Sequence, residues 1–251
     1  MSSFPPSHPV APETDAPTLL APVARRSFLR YSSAGLALGG LYLAGCSKDD
    51  TTGPSGSGLI DVGTGDTGIL NYAYALEQLE AAFYTQVVAG AYYTGTASAA
   101  EKAIFSDLKD HEIIHREFFK AAIATGRITD ALMPDFSGID FAQRTTAAGS
   151  AKMGVLNAAM AFEDLGVAAY NGAGRFISNV DYLTLAGKIV SVEARHAAVI
   201  RELMTTNTFV ASDVVDTTTT GLEKSKRPQV VLATANNFLM AGSKLSANNF
   251  A

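Results

Sequence analysis

The sequence predicts an all-α fold: a four-helix bundle made of two antiparallel helical hairpins joined by a long crossover. Three observations predict it. Four segments, about 67 to 90, 98 to 126, 151 to 177 and 180 to 206, carry apolar residues at helical spacing and are rich in Ala, Leu, Glu and Lys, without the alternating Val, Ile and Thr of strands. Their connections run short, long, short: "GAYYTGT", then "GRITDALMPDFSGIDFAQRTTAAGS", then "SNVD". The third observation is a repeat, in which "LNYAYALEQLEAAFY" (70 to 84) aligns with "LNAAMAFEDLGVAAY" (156 to 170), with eight of fifteen positions identical.

Ahead of the helices lies a leader. Residues 25 to 46, "RRSFLRYSSAGLALGGLYLAGC", resemble a twin-arginine export signal, with Arg25 and Arg26, then Phe28, Leu29 and Arg30, then an apolar run. The uncharged stretch from Tyr31 to Gly45 is shorter than the ~18 residues a membrane-spanning helix needs. Its closing "LAGC" resembles a lipobox, which makes Cys46 the expected lipidated first residue of an exported protein anchored in the cell envelope, on the periplasmic side or at the cell surface. Residues 47 to 66 are Gly-, Ser-, Thr- and Asp-rich and read as a flexible tether.

Composition narrows the function. A chain of 251 residues with net charge −5 has no basic stripe that could displace counterions from phosphates, so no nucleic-acid partner is expected. One cysteine excludes an internal disulfide, a rubredoxin-type iron centre and a Cys-rich zinc site.

The first and third helices supply the repeated pairs Glu77/Glu163 and Tyr84/Tyr170, and the second and fourth supply "HEIIH" (111 to 115) and "EARH" (193 to 196). The chain thus reads Glu, Glu-x-x-His, Glu, Glu-x-x-His, a set known for two-metal sites in helix bundles. At about 100° per residue, Glu112 and His115 share a side with Phe105, Leu108 and Phe119, and Glu193 and His196 with Ile189 and Ile200. Asn71, Gln78 and Thr85, with Asn157, Asp164 and Asn171, form polar stripes on the other two helices. Carboxylates on apolar faces with no Lys or Arg beside them need cations, and carboxylate with imidazole suits iron or manganese.

"HEIIH" alone matches the zinc-protease pattern, but a third ligand after that helix is missing, because the sole later histidine is His196. Glu80 points into the apolar side of the first helix, yet its repeat partner is Gly166, so the repeat favours Glu77 as ligand. Glu80, Tyr84, His111 and Tyr170 are candidates to support the ligands from behind.

With these residues in place, the chain resembles the ferritin-like superfamily over residues 66 to 206, and within it the secreted branch that includes desiccation-related proteins. The resemblance implies a metal site of Glu77, Glu112, His115, Glu163, Glu193 and His196. It implies two divalent ions, iron ahead of manganese, and redox chemistry on ferrous iron, peroxide or oxygen of ferroxidase, peroxidase or catalase type. The alternative is a non-catalytic envelope or stress protein. A homo-oligomer is left open, and the tail from 207 to 251, with a short helix expected around "PQVVLATANNFL", has no assigned role.

Overall fold

The computed structural model of the chain describes residues 58–250. In chain order it runs β1 (Ile60–Asp61), α1 (Gly65–Ala89), α2 (Ala99–Ala122), β2 (Ile139–Asp140), β3 (Met153–Gly154), α3 (Val155–Ala173), α4 (Val180–Met204), α5 (Pro228–Ala235) and β4 (Leu245–Ser246). The four long helices are those the periodicity predicts, and α1 packs with α2 and α3 with α4 as two hairpins. Among the described residues no helix is long and apolar enough to cross a membrane.

Local chemistry sets the helix ends. Ser98 caps α2, accepting from the Glu101 backbone N–H at 3.2 Å while the Glu101 carboxylate accepts from the Ser98 N–H at 2.9 Å. Asn179 caps α4 through its side-chain oxygen. The expected second helix runs to 126, but α2 stops at Ala122, and Ile123 turns extended into the crossover. The short link before α2 holds a π-helical turn at Tyr92–Thr96. Asp66, in the first turn of α1, accepts from the backbone N–H groups of Ser178 and Asn179, tying the α3–α4 link to the start of the bundle.

The expected tether ends earlier than residue 66. Ile60 and Asp61 pair in parallel with Leu245 and Ser246, and Val62 is fully buried. Ile60 and Val62 have apolar surface to bury, and the tail supplies the backbone partners, so this stretch folds. Residues 47 to 57, the leader and Cys46 lie outside the described residues.

The polar stripes face solvent only at Thr85 and Asn171. Asn71 donates to the carbonyls of Val62 and Gly126 and accepts from Ile128 N–H, while Gln78 binds the backbone of Thr129 and Leu132. On α3 the counterpart Asn157 accepts from Thr146 N–H, and Asp164 binds Arg201, which also grips Asp213 in the tail. The crossover and the tail cover these stripes because each buried amide or carboxylate satisfies loop backbone or a loop-held cation. The tail seats α5 in the main core through Val231, Leu232 and Ala235. Its approach needs Gly172, where a Cβ would stand 1.8 Å from the Lys226 carbonyl oxygen.

Candidate metal centre

Each helix of the bundle carries one fully buried glutamate at mid-length: Glu77 on α1, Glu112 on α2, Glu163 on α3 and Glu193 on α4. His115 and His196 stand one turn after Glu112 and Glu193, so each Glu-His pair points the same way from its helix. Ligand atoms of Glu77, Glu112, His115 and Glu193 lie within 4.8 Å of one another, as do those of Glu112, Glu163, Glu193 and His196. Glu112 and Glu193 belong to both groups.

How those two are shared is visible in the distances. His115 Nδ1 is 2.8 Å from Glu193 Oε1, 3.4 Å from Glu112 Oε2 and 3.5 Å from Glu77 Oε2. His196 Nδ1 is 2.8 Å from Glu112 Oε1, 3.4 Å from Glu193 Oε2 and 3.6 Å from Glu163 Oε2. Each shared carboxylate therefore turns one oxygen to each histidine. None of these contacts has the geometry of a hydrogen bond: Glu77 Oε2, both oxygens of Glu112 and of Glu193, Glu163 Oε2, and Nδ1 of both histidines are buried without a hydrogen-bond partner. Two carboxylates 4 Å apart repel by about 4 kcal/mol at the effective dielectric of such a site. Converging buried lone pairs of this kind could hold cations, and the carboxylate and imidazole donors fit metal ions.

The outer oxygens are held. Tyr84 donates to Glu163 Oε1 at 2.5 Å, and Tyr170 donates to Glu77 Oε1. Each tyrosine reaches across the bundle to the other repeat's glutamate, leaving Oε2 to face the cluster. His196 is oriented from behind by His111, whose Nδ1 lies 2.9 Å from His196 Nε2. With a cation on Nδ1 of His196, the ring proton would sit on Nε2 and be donated to His111.

Without a cation the site retains protons. Burial pushes Glu77 up, and pushes Glu163 to about 8. Burial also acts to raise Glu112, but the two imidazoles facing it win and hold it at about 2. For His196, burial works downward and is outweighed by Glu112, Glu163 and Glu193, which raise it to about 12; His115 is raised by Glu112, Glu193 and Glu77 in the same way. A bound metal ion would replace those protons.

A family model described as a ferritin-like domain matches residues 65–206, more than half of the chain. The chain belongs to the ferritin-like domain family. No curated protein matches it in sequence. The six sequence-derived ligand candidates all converge in this family member, and Tyr84, Tyr170 and His111 all contact them. His111 is more exposed than a flanking core residue, and it joins neither ligand group. That removes the metalloprotease arrangement, since Glu112, which would serve there as base, lies between both histidine positions.

Glu80 is buried but stands apart from both groups. Its carboxylate occupies the space beside Gly166, where a Cβ would meet Glu80 Oε1 at 3.1 Å. Burial pushes this carboxyl well up, and the four cluster glutamates push it further. The sequence signal for that arrangement is the repeat itself, which pairs Glu80 with Gly166, the one glycine in the two aligned segments.

Proposed function

We propose that this protein is an exported, lipid-anchored member of its family that binds two divalent ions, iron in preference to manganese, and uses them to oxidise ferrous iron or to reduce peroxide or oxygen. The observation that carries the reading is the convergence of eight unpartnered buried ligand atoms from six residues, divided into two positions that share Glu112 and Glu193. Glu77 and His115 would complete one position, Glu163 and His196 the other. When bound, ferrous ions would supply the electrons that reduce the oxidant.

The chain's own residues do the rest. Tyr84 and Tyr170 keep Glu163 and Glu77 turned inward while leaving one oxygen of each able to shift. His111 receives the His196 proton and, being exposed, can pass protons to solvent. Glu80 is a buried acid within the field of the cluster, suited to keep a proton near it. The leader reading adds that a folded, metal-loaded protein crosses the membrane by the twin-arginine route and is retained through Cys46.

Metal analysis of protein purified without added metal, with anomalous scattering at the iron and manganese edges, tests the ions. Stopped-flow mixing with ferrous iron or peroxide tests the chemistry; two bound ions with no turnover would leave a scaffold. Cys46→Ser should release the protein from membranes, and unchanged retention would remove the anchor.

A further inference from the structure

A cavity of about 30 Å³ lies inside the bundle between the start of α1, the end of α2, the end of α3 and the start of α4. Leu76, Phe119, Ala169 and Ala186 are among its apolar walls, and Tyr170, whose hydroxyl is bonded to Glu77, stands on its inner side. The Tyr72 side chain also lines it and is buried with an unpartnered hydroxyl. The half-buried Leu70 and Leu185 carry the lining toward the bundle end.

Water is a poor occupant. The space is large enough for one, but a buried water needs two to four polar partners, and the wall is apolar apart from three tyrosines, Tyr72, Tyr182 and Tyr170, the last with its hydroxyl already engaged with Glu77. Peroxide, with two hydroxyl groups, fares worse. A small apolar molecule loses nothing by entering. The repeat shows that the space is particular to this end of the bundle. Aligned by the repeat, Ala169 and Leu76 correspond to Phe83 and Phe162, which fill the other end with ring centroids 4.7 Å apart. Aligning Glu112 with Glu193 likewise places Ala186 opposite Phe105, which is fully buried.

We infer that this cavity is a binding site for dioxygen, set one side chain from the Glu77 position of the metal centre. The choice of dioxygen as the physiological gas rests on the oxidative reading of the centre; the binding itself does not.

Methyl relaxation of the full chain under dioxygen compared with nitrogen pressure reads binding directly, because dioxygen is paramagnetic. The methyls of Ala73, Leu76 and Ala169 should relax several-fold faster than those of Ala159 and Leu165 at the filled end. Ala186→Phe, which copies the filled end, should bring them to the same level, and Ala186→Leu serves if the larger ring prevents folding. Equal relaxation at both ends of the wild-type chain overturns the proposal. In the iron-loaded protein the same variant should lower dioxygen-driven relative to peroxide-driven oxidation several-fold, and an equal loss with both oxidants overturns it as a supply site. Enhanced relaxation in a chain that oxidises no iron would instead overturn the redox reading and leave the gas site standing.

Discussion

The two repeats of this bundle agree at the ligands and disagree around them. Glu77 and Glu163 face the cluster alike, Tyr84 and Tyr170 cross the bundle alike, and His115 and His196 each meet three carboxylates. Around this symmetric centre, Glu80 stands against Gly166, His111 aligns with Val192, and the aromatic set Phe83, Phe105 and Phe162 aligns with Ala169, Ala186 and Leu76. Tyr72 and Phe119, aligned with Ala158 and Ile200, refill part of the thinner end. What remains is about 30 Å³, which at roughly 24 cal/mol per Å³ costs under about 1 kcal/mol. The difference teaches that charge compensation fixes the ligand candidates tightly in both halves, whereas the flanking layers are free to diverge at small energetic cost and so make the two candidate metal positions unequal.

The comparison breaks most completely at the shared carboxylates. Glu112→Ala or Glu193→Ala should abolish both positions, while Glu163→Ala should leave an ion with Glu77 and His115; metal stoichiometry separates the cases. Tyr84→Phe and Tyr170→Phe should each weaken one position by about 10- to 100-fold, measurable by competition with a chelator. His111→Val, which copies the other repeat, should cost about tenfold and only at the His196 position. If it weakens both positions equally, the inequality argued for them is wrong.

Acidity sharpens the same contrast. Glu163, held up to about 8 chiefly by burial, must lose its proton to ligate, so affinity at that position should climb as pH rises to about 8 and fall below it. Metal uptake near neutrality should release protons, detectable with a pH indicator in weak buffer. Glu101 is shifted the other way: burial raises it, but Arg144 and the Ser98 N–H outweigh burial and hold it at about 2. Its contribution is complete above the unfolded value and is lost as pH falls from about 4.3 toward 2, so Glu101→Gln should flatten the acid limb of the unfolding curve.

The smallest expected effects lie in the loops over each hairpin. Arg201 is 4% exposed and binds both Asp164 and Asp213, so Arg201→Met should cost roughly 2 to 3 kcal/mol, below the range for a fully buried pair because the Asp213 side chain is 66% exposed. Its counterpart in the first hairpin, Lys120, meets Asp130 with both side chains 40% exposed, and Lys120→Met should cost about 0.5 kcal/mol or less. Denaturant unfolding of the two variants measures the gap.

The sequence by itself determined the four helices, their pairing and the six ligand candidates that converge, because helical period and a repeated Glu and Glu-x-x-His pattern are local signals that need no knowledge of neighbours. It also marked Glu80 against Gly166. It did not determine that Asn71, Gln78 and Asp164 are covered, since a polar stripe reads the same whether water or a loop satisfies it. Nor could it place Ile60–Asp61 beside Leu245–Ser246, a pairing across most of the chain with no short-range signal. The cavity, the division of each shared carboxylate between two histidines, and the crossing of each tyrosine to the opposite repeat were decided only by tertiary structure. Each is a distance between groups remote in sequence, and packing alone sets such distances.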